Sequence, residues 1–241
     1  LRLNQTLPSL FGRRHSEQVL VVKGHDGALL GGANFLAIGM TAQGGPPVSL
    51  ALNYVFVEPA ARGRGLARML VHAAQRMAVL ALAGSDHGPE PAVFIEQNDP
   101  LALTEAEYAA DTAHAGIDQI DRLAIWASLG ARVVDFPYVQ PALSVGQEPD
   151  DGLIYAALRF PGASIPAAWF HDHLQSFFGV SVRKGAPLAD DPVSMGLLDA
   201  LAARTEPVRL IDVGGAIAAL KEAGRPAGAI NFRQFAGGLP T

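Results

Sequence analysis

Three runs of mostly apolar residues alternate with turn-forming segments near the start of the chain. They span residues 18–23, 29–40 and 48–57, and the sequences GHDG (24–27) and QGGPP (43–47) separate them. Such runs are typical of β-strands, and glycine and proline clusters mark the turns between them. Because a parallel pair of strands needs a long crossover, short loops make these strands antiparallel neighbours. The pattern therefore predicts a three-stranded antiparallel sheet.

The apolar spacing changes from that of a strand to that of a helix at Leu66. Gly84 is a typical residue to end such a helix. The next apolar run, residues 92–97, has the composition of a strand. A strand–helix–strand unit of this length forms a crossover, so this strand should run parallel to the one at residues 48–57. The positions that repeat at helical spacing are Leu66, Met69, Leu70, Ala73, Met77 and Leu80.

The next segments continue this alternation of strand and helix. Residues 99–117 contain proline, threonine, aspartate and several alanines, and we interpret them as a long loop, which is often a functional element. A helix is predicted over residues 118–129, because Asp118 is a suitable N-cap. Two further strands are predicted at residues 132–143 and 153–160, and the Gly/Pro/Asp-rich loop between them indicates a hairpin. These elements together predict an α/β fold with a mixed sheet.

The last third of the chain differs in pattern, because helical spacing predominates over strand-like runs. We therefore divide the chain into a core of residues 1–160 and a mainly helical C-terminal extension of residues 161–241. We expect the extension to pack on the core or to exchange with a second copy in a homodimer. The helical patterns cover residues 167–178, 195–204 and 216–223, and one strand-like run covers residues 208–213.

The composition narrows the classes of function. The 241-residue chain has a formal net charge of −5 and no cysteine. A mildly acidic chain with scattered charges argues against broad nucleic-acid binding. The lack of cysteine excludes disulfides and thiolate metal sites and fits a reducing cytoplasm. No apolar run approaches the ~20 residues that span a bilayer, so we expect no membrane partner.

Two histidines in the sequence WFHDHLQ are the strongest hint of a metal site. His171 and His173 are two residues apart, so on a helix they point to different faces, and no third ligand accompanies them. We therefore predict no metal and expect both histidines to lie on the surface beside an amphipathic helix.

An arginine- and glycine-rich segment, ARGRGLAR, stands where the third strand gives way to the first long helix. The first N–H groups of a helix lack internal partners and carry partial positive charge, so they form an anion site. Gly63 and Gly65 let the backbone approach a phosphate closely, and Arg62, Arg64 and Arg68 add positive charge. A Rossmann fingerprint would need glycine at the position of Arg68, and the Lys-Ser/Thr of a Walker loop is absent. The segment therefore predicts a cradle for a pyrophosphate.

The same segment resembles the acetyl-CoA-binding motif of the GNAT acetyltransferase superfamily, Arg/Gln-x-x-Gly-x-Gly/Ala. Arg62, Gly65 and Ala67 occupy its defining positions. The preceding VFVEPAA resembles the family's fourth strand, and IWASLGARVV resembles its passage from a helix to a strand. The order of predicted elements over residues 19–160 also resembles that of the family. The resemblance implies a GNAT-like acyl-CoA N-acyltransferase core that uses acetyl-CoA as cosubstrate.

In this family the pantetheine arm of the cosubstrate lies between two strands that separate after pairing. The resemblance therefore implies that the backbone of residues 56–58 binds the arm and that residues 62–68 bind the pyrophosphate. Asn98 would bond the pantetheine through its side-chain amide, although a turn residue before proline explains it equally well. The implied donor-site residues are Phe56, Val57, Glu58, Arg62, Gly63, Arg64, Gly65, Leu66, Ala67, Arg68, Asn98 and Trp126.

The resemblance also implies direct attack of an amine on the thioester, which calls for a general base. Glu96 is the first choice, since it ends an apolar strand where burial would raise its pKa, and Glu58 is the second. For both, the alternative is an exposed charge at a strand end. Asn53 stands in a region where relatives often carry an acid. Many relatives have a tyrosine acid where this chain has Trp126, whose indole cannot serve as one, and Tyr138 is the substitute we name.

The acceptor side is less well defined by the sequence. Glu105 and Tyr108 lie in the predicted loop at residues 99–117, whose acidic residues would suit a cationic amine. Gln140 is two residues after Tyr138 on a predicted strand, so both side chains would face one side. The alternative for the acidic residues is a solvated loop followed by a capped helix.

These residues predict an acetyl-CoA-dependent N-acetyltransferase that acts on a primary amine of a small molecule. Two alternatives stay open: a degenerate GNAT module that binds acyl-CoA without catalysis, and a peptide or protein N-acetylase. GNAT folds normally begin with a strand and two helices, and the residues before residue 18 are too few for them. Either these elements are missing from the chain or the C-terminal extension covers the acceptor site in their place.

Overall fold

A mixed β-sheet forms the centre of the fold. The computed structural model describes residues 2–84, 88–144, 146–226 and 230–239. The strands within these residues are β1 (Ser9–Leu10), β2 (Arg13–Lys23), β3 (Leu29–Gly39), β4 (Val48–Val57), β5 (Ala92–Asn98), β6 (Ala131–Val134), β7 (Leu153–Leu158), β8 (Ser164–Ile165) and β9 (Val208–Ile211). They form one sheet in the order β1-β2-β3-β4-β5-β7-β6-β9-β8. The predicted α/β fold class with a mixed sheet is confirmed.

Helices cover both faces of this sheet. The α-helices of the described segments are α1 (Arg2–Thr6), α2 (Leu66–Ala83), α3 (Glu105–Ala115), α4 (Gln119–Ser128), α5 (Ala167–Phe177), α6 (Pro192–Ala202), α7 (Gly214–Ala223) and α8 (Phe232–Gly238). Short 3-10 turns lie at Pro59–Ala61 and Leu188–Asp190, and a π-helical turn follows α5 at Phe178–Val182. By length and composition α2 alone among the described helices is able to cross a membrane, but Leu70, Ala74 and Ala78 on one face of it are buried in the core.

The first half of the sheet follows the prediction closely. β2 pairs with β3 and β3 pairs with β4, both antiparallel, and β4 pairs in parallel with β5. β4 has the predicted bounds, whereas β2 begins at Arg13 rather than at residue 18. α2 begins at Leu66 and ends before Gly84, which adopts the left-handed backbone conformation with φ 71° that favours glycine.

The strand predicted at residues 132–143 is wrong beyond Val134. β6 ends there, and one further backbone bond to β9 follows, from the N–H of Asp135 to the carbonyl of Arg209. Pro137 then supplies no N–H for a ladder, so the chain leaves the sheet. Gln140 meets the chain again only at an isolated bridge to Asp150. Tyr138 and Gln140 therefore do not alternate along a strand.

The long loop predicted at residues 99–117 is also wrong, because it contains α3. Thr104 caps this helix: its hydroxyl accepts from the N–H of Glu107, and the Glu107 carboxylate accepts from the N–H of Thr104. This reciprocal arrangement is a capping box, and its sequence signature Thr-x-x-Glu was available before the structure. No side chain of α3 is buried, so the helix lacks the apolar stripe that a helical pattern needs.

Two apolar cores lie on opposite faces of the sheet. The first includes Leu70 of α2 and Ile217 of α7, together with residues of α4 and α8. The second includes Phe94 of β5 and Trp169 of α5, together with residues of α6. The C-terminal extension therefore supplies helices to both faces and adds β8 and β9 to the sheet. The division at residue 160 stays a prediction.

Arg13, the first residue of β2, bonds to residues of α5. Its guanidinium forms an ion pair with Asp172 at 3.0 Å and donates to the hydroxyl of Ser176 at 2.8 Å. Because Arg13 is only 5% exposed, this contact is shielded from water. The second face of the sheet is therefore covered by a helix that is fixed to β2 as well as packed on β5.

Candidate functional site

A gap opens between β4 and β5 beyond their short parallel pairing. The pairing runs from Ser49 with Ala92 to Leu52 with Ile95 and then stops. β4 continues along β3 as far as Val57, while β5 continues along β7. The register of β3 and β4 shifts at this point, so that one extra residue bulges from β4. A bulge bends its strand, and the bend separates β4 from β5.

The backbone of β4 presents polar groups to this gap. The N–H of Glu58 donates to the carbonyl of Leu30 at 2.9 Å, on the β3 side. Backbone groups of successive residues point to opposite edges of a strand, so those of Val57 point toward the gap. Of the three predicted backbone contacts for pantetheine, Val57 is thus the residue whose N–H and carbonyl face the opening.

The segment between β4 and α2 forms an open cradle of N–H groups. Gly63 and Gly65 have φ values of 75° and 77°, which are left-handed conformations that favour glycine. Gly65 is the N-cap of α2, and no side chain caps the helix. The first helical N–H groups, those of Leu66, Ala67 and Arg68, therefore lack intrahelical acceptors. An atom added in place of the hydrogen on either glycine would meet nothing within 4 Å, so the cradle is open.

Arg62 is bonded to backbone carbonyls of the protein, and its predicted contact with the pyrophosphate stays a prediction. Its guanidinium donates to the carbonyls of Gly116 at 2.7 Å and Ala115 at 2.9 Å, and its Nε donates to Val57 at 3.2 Å. A cation at these carbonyls satisfies the C-terminus of α3 and its partial negative charge. Arg62 thus joins the end of β4 to α3, while Arg64 and Arg68 lie exposed at the cradle.

Replacing Arg62 by Ala should loosen α3. Losing charge-assisted hydrogen bonds to the helix end costs roughly 1–3 kcal/mol, so amide hydrogen exchange in α3 should accelerate about tenfold or more. Hydrogen-exchange mass spectrometry on peptides from residues 105–116 would measure this rate. Arg64→Ala removes an exposed arginine of the same loop and should leave the rate unchanged. Equal protection of α3 in both variants would contradict this role of Arg62.

Glu96 lies across the gap, at the first β5 position beyond the parallel pairing. The hydroxyl of Tyr138 donates to its Oε1, and the amide of Gln140 donates to its Oε2 at 3.1 Å. Burial raises the pKa of Glu96 to about 7, the charge of Asp150 acts in the same direction, and the two hydrogen bonds oppose the shift. A carboxyl group with a pKa near neutrality can exchange protons at physiological pH.

Tyr138 is the most deeply buried member of this group. It is 6% exposed, and burial, reinforced by the charge of Glu96, raises its pKa well above the usual range. Such a phenol gives up its proton reluctantly. Tyr138 is therefore better suited to donate a hydrogen bond to Glu96 than to transfer a proton. The predicted catalytic role of Tyr138 stays a prediction.

The expectation that His173 lies on the surface is wrong. His173 is fully buried, its Nδ1 lies 2.6 Å from the hydroxyl of Ser49, and its Nε2 lies 2.6 Å from that of Tyr155. Burial lowers the pKa of His173 to about 3. The sequence held a signal for this, because residues 169, 170, 173, 174 and 177 form an apolar stripe at helical spacing in which His173 takes one place. His171, by contrast, is partly exposed.

Residues 3–83 match the family model described as the Acetyltransferase (GNAT) family. The resemblance to the GNAT superfamily is confirmed. The matched segment runs from the N-terminus through β4 and the N–H cradle to the end of α2. It therefore includes the acetyl-CoA motif and ends before Glu96, Tyr138 and Gln140.

Solved structures with some likeness to the chain are also described as acetyltransferases. One from Agrobacterium tumefaciens is 20% identical, with a TM-score of 0.36 over 66% of this chain and 86% of that chain. Nourseothricin acetyltransferase is 21% identical, with a TM-score of 0.30 over 59% and 64% of the two chains. Naa20 of Chaetomium thermophilum, solved with a bisubstrate analogue, is 14% identical, with a TM-score of 0.34 over 65% and 69%. These TM-scores are too low to carry an argument. No curated protein matches the chain.

The acceptor-side residues predicted from the GNAT resemblance are only partly brought together. Gln140 meets Glu96, as described above. The hydroxyl of Tyr108 instead donates to Asp118 at 2.7 Å, and Glu105 forms an ion pair with Arg225 at 3.1 Å. The acidic residues of α3 and α4 are thus engaged with partners of their own, which weakens the expectation of an acidic lining for a cationic amine.

The remaining predicted donor residues have structural contacts. Asn98 donates to Asp111 of α3 at 3.0 Å. Trp126 packs against the first core and lines a small apolar cavity with Ile95 of β5. Glu58 precedes the 3-10 turn at Pro59–Ala61, and its carbonyl accepts from Ala61 at 2.8 Å. Their roles toward acetyl-CoA stay predictions. Within the described residues no three His, Asp or Glu side chains cluster as a metal site.

Proposed function

We propose that the chain is an N-acetyltransferase that moves the acetyl group of acetyl-CoA to a primary amine of a small molecule. One observation carries the proposal: the N–H cradle at α2 and the carboxyl group of Glu96 flank the same gap between β4 and β5. An anion site and a base with a pKa near 7 are the two groups that acyl transfer from a diphosphate-bearing thioester requires.

The cradle fits the pyrophosphate of coenzyme A. Three N–H groups at the start of α2 are uncapped, and the exposed Arg64 and Arg68 add charge beside them. The match of residues 3–83 to the GNAT family supports this donor, because the motif lies inside the matched segment. The open edge at Val57 would then hold the pantetheine arm by backbone hydrogen bonds, as the family resemblance implies.

Glu96 is suited to take a proton from the attacking amine. Acetyl-CoA would supply an acetyl thioester whose carbonyl carbon accepts the amine nitrogen. As the carbon–nitrogen bond forms and the carbon–sulfur bond breaks, Glu96 takes the amine proton and the departing thiolate is protonated by solvent. The backbone of β4 that faces the gap would supply an N–H donor to the developing oxyanion, as the family resemblance implies. This route needs no tyrosine acid at the position of Trp126.

The acceptor surface supports an amine with an apolar body. Tyr54, Phe56, Val19 and Val21 are 67%, 36%, 54% and 58% exposed. The strand registers place them on the sheet face that carries Glu96, with Gly32 between Phe56 and Val21. We therefore expect amines on aromatic or aliphatic bodies to be better acceptors than polyamines.

The test is incubation with acetyl-CoA and a panel of aromatic amines, aliphatic amines, polyamines and peptides. Thiol release that depends on the amine, together with the acetylated amine by mass spectrometry, is the expected result. Coenzyme A binding without release across the panel would instead establish the degenerate binding module. Turnover confined to peptide N-termini would establish the peptide N-acetylase.

The rate of acetyl transfer should rise with pH and level off above about 7. Below this value Glu96 is protonated and cannot accept the amine proton. The profile of kcat/KM should be measured with an acceptor of low amine pKa, so that the amine itself does not titrate in the same range. A flat profile between pH 5 and 8 would contradict Glu96 as the base.

The same group should make folding stability depend on pH. The pKa of about 7 in the folded protein lies above the ordinary 4.5, so between these values the folded state binds more protons than the unfolded chain. Stability should therefore fall as pH rises through this window, and Glu96→Gln should remove that part of the slope. Thermal unfolding from pH 4.5 to 7 measures the difference without any substrate.

A further inference from the structure

A buried chain of polar groups joins the C-terminal extension to the sheet beneath Glu96. His173 of α5 bonds Ser49 of β4 through Nδ1 and Tyr155 of β7 through Nε2, both at 2.6 Å. His173 and Ser49 have no exposed surface, and Tyr155 is 3% exposed. The imidazole also stacks on Phe94 with ring centres 4.1 Å apart. The ring is thus fixed in position and in orientation.

The charge state of His173 also determines how the two hydroxyl groups bond to it. A neutral imidazole has one donor nitrogen and one acceptor nitrogen, so one hydroxyl donates to it and the other accepts. Burial lowers the pKa of His173 to about 3, and the positive charge of Arg13 lowers it further. His173 is therefore neutral at physiological pH. Its role is to hold the hydroxyl groups of Ser49 and Tyr155 in place by hydrogen bonds.

Tyr155 connects His173 to Glu96. The two residues lie directly opposite each other in the β5–β7 register. The ring of Tyr155 packs on that of Tyr138 with centres 4.4 Å apart, and Tyr138 donates its hydroxyl to Glu96. Tyr138 belongs to the irregular segment after β6, where no strand ladder fixes it. Ring packing on Tyr155, together with a longer ring contact to Phe178 at 6.3 Å, therefore holds the phenol that donates to Glu96.

We propose that His173 is a positioning residue for Glu96, acting through Tyr155 and Tyr138, so that the C-terminal extension is part of the acetyl-transfer site. The inference rests on the proposed function, in which Glu96 is the base. On this face of the sheet, α5 of the extension covers the core. A core of residues 1–160 without the extension would hold Glu96 in a different environment.

Few polar and charged groups surround Glu96 and His173, the two ends of this chain of contacts. Tyr138, Gln140, Asp150 and Tyr155 surround Glu96. Ser49 and Tyr155 bond His173, while Arg13 is the charged group acting on it and is itself paired with Asp172. Tyr155 and Tyr138 connect His173 to Glu96 by a hydrogen bond or a ring contact at each step.

Two amide substitutions each keep a different one of the two hydrogen bonds of His173, so the effects of the two bonds can be measured apart. The shorter side chain of His173→Asn places an amide near the Nδ1 position, toward Ser49, and leaves Tyr155 without its partner. The longer His173→Gln reaches toward the Nε2 position and restores the bond to Tyr155. Tyr155→Phe removes the hydroxyl and keeps the ring. Leu174→Val, in the same core, is a packing control that touches neither bond.

The measurement is the pH titration of the Glu96 carboxyl carbon by NMR in protein labelled with ¹³C-glutamate, with Glu96→Gln to assign the signal. His173→Asn and Tyr155→Phe should raise the midpoint by roughly half a pH unit or more, because a loosened Tyr138 stabilises the carboxylate less. They should also lower kcat about tenfold with little change in the KM for acetyl-CoA. His173→Gln and Leu174→Val should stay near the wild-type midpoint.

The outcomes are distinct. Equal midpoints in all four variants, or equal shifts in His173→Asn and His173→Gln, would overturn the positioning role and leave His173 as a packing residue. If His173→Asn does not fold, a wild-type midpoint in Tyr155→Phe overturns the role, and a raised midpoint there with an unchanged one in His173→Gln supports it. Because the NMR titration needs no turnover, a wild-type protein that acetylates nothing refutes the proposed function without touching this result.

Discussion

Replacing Glu96 by Gln is expected to lower kcat/KM for acetyl transfer by about 10²–10⁴-fold, the usual contribution of a general base. Gln has nearly the same shape, so the hydroxyl of Tyr138 can still donate to the side-chain oxygen. The uncharged amide, however, cannot take the amine proton. The dissociation constant for coenzyme A, measured by calorimetry, should stay within a few-fold of wild type, since the cradle lies on the other side of the gap.

Glu58→Gln is the matched control for this substitution. Glu58 is the second carboxylate that the GNAT resemblance implies, and it lies just after β4, next to the 3-10 turn. We expect it to keep most of the activity. A large loss in Glu58→Gln with near-normal turnover in Glu96→Gln would move the base to Glu58. If the inflection in the pH profile of kcat/KM is lost in Glu96→Gln but kept in Glu58→Gln, Glu96 is the base.

Replacing Gly65 by Ala should weaken coenzyme A binding by about 5–30-fold. A left-handed conformation costs a residue with a Cβ roughly 1–2 kcal/mol, and about 1.4 kcal/mol corresponds to a tenfold change in affinity. Gly65 has φ 77°, so relaxation of the strained backbone would turn the N–H groups of the cradle away from the phosphate. The added methyl group would also stand in the open cradle. Calorimetry with coenzyme A measures the loss.

Gly84→Ala at the other end of the same helix separates strain from binding. Gly84 has φ 71°, and an added Cβ there meets nothing within 4 Å, as at Gly65. Both variants should lose a similar amount of stability, on the order of 1 kcal/mol. Only Gly65→Ala should lose affinity. Equal affinities in the two variants would show that the phosphate does not bind at the start of α2.

Local signals account for the parts of the fold that the sequence predicted well. The apolar runs of β3 and β4 and the helical spacing from Leu66 depend on the residues' own preferences and periodicity. The cradle at Gly63 and Gly65 follows from the same local chemistry, because a left-handed turn before a helix selects glycine. These elements form the N-terminal half, where neighbours in sequence are also neighbours in the sheet.

Long-range contacts explain what the sequence did not reveal. β6 ends at Val134 after a short pairing with β9, which is distant in sequence, and Pro137 cannot continue a ladder. Tyr138 and Gln140 do meet near Glu96, but they reach it from an irregular segment rather than from the predicted strand. The burial of His173 depends on Ser49 and Tyr155, which no local pattern connects to it.

A crystal structure with a non-hydrolysable analogue of acetyl-CoA tests the central claim most directly, namely that one gap serves both the donor and the base. We predict that the pyrophosphate accepts hydrogen bonds from the N–H groups of Leu66, Ala67 and Arg68, and that the pantetheine lies between β4 and β5. The acetyl group should then face Glu96 with room for an amine between them. A pyrophosphate bound away from the start of α2, or an acetyl group on the far side of the sheet from Glu96, would contradict the account.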